Sequence, residues 1–282
     1  MDLRSVVRKL SMPTFHAIDA VLLSVYDRKN LPPFELRLKA GTLRNVVGGG
    51  RWLAMGSQML QEVIEFCGLT PESVVVEIGC ACGIVALPMK AYLTKGRYIG
   101  IDIIPELIEW CDANLADDRF QFIDLGVANE LYKPDALGDS TKMRLAVEDD
   151  SADVVFLVSV FTHMFPEEVA HYLAEIGRIL KPGGKCLATM LTKDSYTPSL
   201  SRIKLEHHYS ADCLCFDAQN RTRAVAFSRS LIEDMASKAG LSIIHVTPGQ
   251  WDGRSKEKYF HDMYVFEKTS SSQVKKPEAS LQ

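Results

Sequence analysis

The stretch Val74-Val75-Val76-Glu77-Ile78-Gly79-Cys80-Ala81-Cys82-Gly83 holds the residues best placed to do chemistry. An apolar, β-branched run ends in an acid and then a glycine-spaced turn. Such a run reads as a buried parallel strand, and Ile84 to Leu93 reads as the helix that follows it. Strand, tight loop and helix N-terminus together form a place where nucleotide-like ligands bind, at the carboxyl end of a strand. Gly79 and Gly83 let the loop turn sharply and bring bare backbone close to a ligand. Glu77 narrows the choice, because a carboxylate beside the loop repels a phosphate and suits a cationic or hydroxyl-bearing group. A dinucleotide fingerprint, Gly-x-Gly-x-x-Gly, fails at Ala81 and again at Ile84.

Composition bounds what such a loop can serve. A chain of 282 residues, 47% hydrophobic, can bury one large core or two small ones. A net charge of −4 argues against a dedicated nucleic-acid binder, which is usually basic. No apolar run is long enough to span a membrane, and no secretory signal is evident at the N-terminus. Seven cysteines, an odd number, fit a reducing, cytoplasmic setting better than a disulfide framework. The pairs Cys80/Cys82 and Cys213/Cys215 are spaced too closely for an ordinary structural zinc site, so no metal is expected.

The elements that must position the loop follow from periodicity. Leu3, Val6, Val7 and Leu10, then Ile18, Val21, Leu22 and Val25, fall at helical spacing, so residues 1–30 read as two helical pieces. This arm is expected to pack over the core or the active-site mouth. Its basic amphipathic start also allows a peripheral membrane contact, whereas Asp2 and Asp19 count against a transit peptide. Leu31-Pro32-Pro33 and Gly48-Gly49-Gly50 mark a connecting segment to residue 55, and Gly56 to Cys67 reads as a helix closed by Gly68.

Strand and helix then alternate. Strands are expected at 73–78, 97–102, 120–124, 153–159 and 185–190, with helices from about 84, 105 and 166. Residues 125–150 and 191–225 read as irregular insertions, the second holding His207 and His208. Ser230-x-x-Glu233 is a capping box for a further helix. Leu241–Val246 and Tyr259–Glu267 succeed one another without a helix, which points to an antiparallel hairpin ending the sheet. Trp251 and Arg254 lie in its loop, an aromatic beside a cation near the expected substrate mouth. Residues 269–282 read as a disordered tail.

Glu77-x-Gly79-x-Ala81-x-Gly83 resembles motif I of the class I S-adenosylmethionine-dependent methyltransferases, Glu/Asp-x-Gly-x-Gly-x-Gly, with alanine in place of the middle glycine. The resemblance runs over roughly residues 56–268. It includes Tyr98-Ile99-Gly100-Ile101-Asp102, Asp153-Val154-Val155-Phe156 with Ser159 to Met164, and Leu180-Lys181-Pro182-Gly183-Gly184. It implies an α/β, doubly wound, mostly parallel seven-stranded sheet of order 3-2-1-4-5-7-6 with its last strand antiparallel, here with an N-terminal helical extension. It implies S-adenosylmethionine as cofactor. Glu77, Gly79, Cys80, Ala81, Cys82 and Gly83 would form the loop around it. Asp102 and Ile103 would take the ribose and Asp124 and Leu125 the adenine, and Ser159 would complete the cofactor site where the methyl group faces the acceptor.

His163, just past the fourth strand, is the candidate catalytic residue, since an imidazole can take a proton from a hydroxyl or amine nucleophile. A cofactor-side or structural hydrogen bond is its other reading. The expected reaction moves a methyl group to an oxygen or nitrogen of a small molecule or glycan, with no nucleic-acid partner. A non-catalytic cofactor-binding partner subunit and a nicotinamide-dependent oxidoreductase are the alternatives.

Overall fold

The fold is built on the seven strands whose alternation the sequence announces. The structure, a computed structural model, describes residues 11–28, 30–41, 43–127, 138–253 and 259–269. Strands β1 (Val74–Ile78), β2 (Arg97–Asp102), β3 (Phe120–Asp124), β4 (Ala152–Leu157) and β5 (Leu180–Met190) lie parallel. After three short strands described below, β9 (Leu241–Thr247) and β10 (Asp262–Lys268) complete the sheet, with β10 antiparallel to both its neighbours. The order β3-β2-β1-β4-β5-β10-β9 is the expected 3-2-1-4-5-7-6.

Alternating side chains feed two apolar layers. Val76, Ile78, Val155 and Leu157 face α7 (Pro166–Ile179), with Leu173 and Ile176, and α8 (Arg229–Lys238), with Ile232 and Met235. Val75, Tyr98, Val154 and Phe156 face the other way, onto α4 (Gly50–Cys67), α5 (Ala86–Tyr92) and α6 (Pro105–Asn114). Each fully buried aliphatic side chain contributes about 1.5–3 kcal/mol, and both faces of the central strands are covered. Gly56, midway along α4, touches the motif loop so closely that a Cβ there would sit 2.0 Å from the Ile84 carbonyl oxygen. Only glycine permits that approach.

α1 (Met12–Val25), α2 (Phe34–Lys39) and α3 (Leu43–Val46) form a cap. Phe15, Phe34, Val46 and Trp52 make its core, and Cys82, Ala81 and Ile84 of the motif loop pack into the same cluster. The fully buried Arg37 holds this cap together. Its guanidinium pairs with Asp19 at 2.6 Å and donates to the carbonyls of Pro32 and Val46. Asp19 in turn accepts from the Gly48 amide at 2.7 Å.

Five expectations are corrected. The division between residues 55 and 56 falls inside α4, which begins at Gly50, with Gly49 in a left-handed conformation at its N-cap. Of the apolar set of α1 only Leu22 turns inward, against Gly48: Ile18, Val21 and Val25 are exposed, whereas Phe15 and Asp19 are buried. The second insertion is not irregular, because β6 (His207–Ser210), β7 (Cys213–Cys215) and β8 (Val225–Phe227) form a small antiparallel sheet. Strands of three or four residues carry too little periodicity to be read from sequence. The cap of α8 is Ser228, whose Oγ accepts from the Leu231 amide, while Glu233 pairs with Arg229. Trp251 is fully buried in a separate cluster with Leu191 and Leu205, donating to Asp262, and does not line a mouth. Arg254, the first helical piece at 3–10 and the tail beyond 269 lie outside the described residues.

Candidate functional site

The carboxyl ends of β1, β2 and β4 converge on a cavity of about 420 Å³. Its floor is the motif loop. The amides of Gly79 and Cys80 both donate to the Ile101 carbonyl, at 2.7 and 3.0 Å, so the chain leaves β1 while still bound to β2. Gly79 sits at φ +81°, and a Cβ there would meet Val160 at 2.5 Å. Ala81 is left-handed as well, at φ +49°. A glycine takes that conformation freely, and an L-residue pays roughly 1–2 kcal/mol for it. Here the alanine methyl packs against the cap, which offsets part of that cost.

Asp102 closes the loop from the side. Its Oδ2 accepts from the Ala81 amide at 2.8 Å, and its Oδ1 from the Ile103 and Ile104 amides at 2.8 and 3.0 Å. Burial raises its pKa, and the three amides work against that rise. A carboxylate has about four lone-pair sites. Three are taken, and the remaining one on Oδ2 suits a hydroxyl from a ligand in the cavity.

Of the residues expected from sequence, Gly79, Ala81, Asp102, Ile103, Leu125, Ser159 and His163 line the cavity together. Glu77, Cys80, Cys82, Gly83 and Asp124 do not line it. Glu77 points to the opposite face of the sheet, where its carboxylate takes the Tyr98 hydroxyl hydrogen bond. Burial pushes its pKa up to about 8, against the Tyr98 hydrogen bond and with help from the Asp102 charge. Cys80 packs in the apolar layer behind the loop, and Cys82 in the cap. Asp124 is exposed, and its Oδ1 accepts from the Gly126 amide at 2.9 Å, an Asx-turn. No group of three or more potential metal ligands occurs among the described residues.

The far wall comes from the end of β4. Ser159 is left-handed at φ +58°, a strained conformation for a non-glycine residue, and its amide donates to Thr189 Oγ1 at 2.7 Å. His163, in the single turn Phe161–His163, holds Nδ1 2.9 Å from the Thr222 carbonyl in the second insertion. A carbonyl only accepts, so Nδ1 carries the proton in the neutral ring. Burial lowers the His163 pKa, while backbone hydrogen bonding at Thr222 and Arg223 pulls it back.

Three residues escaped the sequence reading. Tyr172 of α7 lines the cavity, and among the described residues its hydroxyl has no hydrogen-bond partner. Burial first, then the nearby Glu168 and Asp102, raises its pKa, so it stays a neutral phenol. His261 places Nδ1 3.4 Å from Ser159 Oγ, and burial with the neighbouring His163 lowers its pKa to about 4. Its position just before an antiparallel last strand was the available signal, since such a strand starts at the ligand-binding edge of the sheet. Lys39, with Ala40 and Gly41, brings the cap to the cavity rim, and Lys39 bridges to Glu106 on α6 at 2.9 Å.

Comparison with known proteins agrees with this geometry. Residues 76–188 match the methyltransferase domain family. The chain is 23% identical over 184 residues to the tRNA N(3)-cytidine methyltransferase METTL2 of Danio rerio, an alignment covering 63% of this chain and 47% of that protein. It is 26% identical over 180 residues to a probable methyltransferase, ltbC, of Aspergillus luteorubrus, covering 62% and 60%. The chain thus spans about half the length of the curated relatives it matches. An S-adenosylmethionine-dependent methyltransferase of Methanosarcina mazei superposes with a TM-score of 0.52 at 16% identity, covering 74% of this chain and 97% of that one, and so shares the fold. Residues 76–188 thus form a methyltransferase domain, the sheet order is that of the class I S-adenosylmethionine-dependent fold, and S-adenosylmethionine is the cofactor this implies.

Proposed function

We propose that the protein moves the methyl group of S-adenosylmethionine to an oxygen or nitrogen of a small molecule or glycan in the cytoplasm. The observation that carries this reading is His163, a half-buried imidazole on the cavity wall just past β4, held in one tautomer by a carbonyl of the second insertion.

The cavity suits the cofactor. Ile78, Ile101, Leu107 and Leu125 offer apolar walls for a flat purine, and Asp102 keeps a lone pair for a ribose hydroxyl. The Tyr172 hydroxyl supplies a neutral donor or acceptor in the same cavity. When bound, the sulfonium of the cofactor renders its methyl group electrophilic. The chain's own part is then to align an acceptor in line and exclude water. Lys39 to Gly41 cover one side of the cavity. With Nδ1 protonated toward Thr222, the lone pair of the neutral His163 ring lies on Nε2, which takes the acceptor's proton as the acceptor attacks. Seven buried free thiols support a reducing compartment.

A nucleic-acid acceptor is the competing reading, because the Danio rerio relative is named as a tRNA methyltransferase. The net charge of −4 runs against it. Methyl transfer from labelled S-adenosylmethionine decides between them. The acceptors are pooled metabolites, glycans and total tRNA, tested with wild type and His163→Ala. Label in the small-molecule or glycan pool that falls in the variant supports the proposal. Label in tRNA alone replaces the acceptor class. Binding of S-adenosylhomocysteine without label anywhere makes the protein a cofactor-binding partner subunit. Binding of NADH would turn the reading to an oxidoreductase.

A further inference from the structure

α1 is charged on the wrong side for a surface helix. Its one carboxylate, Asp19, is buried and paired with Arg37, whereas its outer face shows Ala17, Ile18, Ala20, Val21, Ser24 and Val25. Val21 is 61% exposed, Val25 69% and the following Tyr26 59%. The outer face of such a helix is ordinarily charged or polar. Here Ile18, Val21 and Val25 form a stripe at i, i+3 and i+7, about 10 Å of helix face with no charge to keep it in water. An apolar surface of this kind marks an interaction site.

We propose that the outer face of α1 docks on an anionic lipid surface. The flanking sequence has the complementary charge. Residues 1–30 carry five basic and three acidic side chains, one of the acids being the neutralised Asp19, in a chain where acids outnumber bases 36 to 32. Arg4, Arg8 and Lys9 precede the helix, and Arg28 and Lys29 follow it. The Arg28 guanidinium lies over the Tyr26 ring at 4.9 Å, an aromatic and a cation together at the end of the apolar stripe. Apolar stripe, aromatic end and basic flanks are the features of a helix lying in the headgroup boundary. No described helix is long and apolar enough to cross the bilayer, so the contact is peripheral. A second copy of the chain fits the stripe less well. Antiparallel pairing of α1 about a two-fold axis brings the two basic flanks against one another.

Flotation of the full chain with phosphatidylcholine vesicles, with and without phosphatidylglycerol, tests this directly. The protein should rise with the anionic vesicles, rise less with the neutral ones, and return to solution in high salt. The pair Val21→Asp and Val25→Asp should lower the bound fraction at least about tenfold while melting temperature and S-adenosylhomocysteine affinity stay as in wild type. If the aspartates lower the melting temperature, Val21→Ser with Val25→Ser is the milder pair and should show the same direction. Protein that stays in solution with both vesicles, or variants that float like wild type, would overturn the proposal. So would a dimer mass by light scattering that the variants halve, since the face would then serve a second copy.

Discussion

The Ala81 amide donates to Oδ2 of Asp102 across 2.8 Å, fastening the turn after β1 to the last residue of β2. Through that contact the same carboxylate both shapes the loop and faces the cavity.

Asp102→Ala should therefore weaken S-adenosylhomocysteine binding by about 1.5–3 kcal/mol, the scale of a hydrogen bond to a charged group. Asp102→Asn, which keeps one acceptor, should lose less. Isothermal titration measures both, and an alanine variant with wild-type affinity would remove Asp102 from the site.

Tyr172→Phe isolates a single hydroxyl. That hydroxyl has no partner among the described residues, so its removal should leave the melting temperature unchanged. Cofactor affinity should fall by about 0.5–1.5 kcal/mol, an ordinary neutral hydrogen bond. A drop in stability with unchanged affinity would mean that the hydroxyl serves the fold.

His163→Ala should cut turnover by about 10²–10⁴-fold, the usual contribution of a general base, with S-adenosylhomocysteine affinity nearly intact. Burial lowers the His163 pKa below 6.5, so the base form predominates at neutral pH. Wild-type turnover should be flat near pH 7 and fall as pH drops through that lowered value. A rate still climbing between pH 7 and 9 would point to a different titrating group.

Glu77 gives the stability a pH slope. Its folded pKa, about 8, lies above its ordinary 4.5 because burial disfavours the charged form. Between those values the unfolded chain has released the proton and the folded chain retains it, so stability falls as pH rises, by up to about 1.4 kcal/mol per unit. Glu77→Gln keeps an acceptor for Tyr98 and abolishes the titration. Thermal melts from pH 5 to 9 should decline less steeply in that variant than in wild type, and parallel curves would show that Glu77 is ionised in the fold.

Asp19→Ala leaves the Arg37 guanidinium buried without its counter-charge, which typically costs about 3–5 kcal/mol. Because Arg37 and Asp19 tie α1, α2 and the Gly48 turn together, the cap should open before the sheet does. Limited proteolysis should then cut within residues 11–50 first, with the sheet core protected. Global unfolding with no early cleavage would show that cap and sheet form one cooperative unit.

The sequence by itself determined the sheet, the loop and the acid that closes it. Val74 to Ile78 is apolar at every position but Glu77, and the spacing of Gly79, Gly83 and Asp102 is local enough to be read directly. Hydrophobic periodicity also located the hairpin of β9 and β10, and the resemblance to the class I methyltransferases implied the sheet order. Tertiary structure alone decided which way several side chains turn. Glu77 lies on the face shared with Val75 and Tyr98, away from the cavity, because the pleat sends alternate residues to opposite sides. Ile18, Val21 and Val25 have the spacing of a buried stripe, yet Asp19 took the inner face, since Arg37, eighteen positions later, makes a buried carboxylate affordable there. Tyr172 and His261 reach the site from elements far along the chain, and Thr222 orients His163 from 59 residues away. Periodicity records how a segment divides into faces; which face is buried depends on partners that only the folded chain brings into contact.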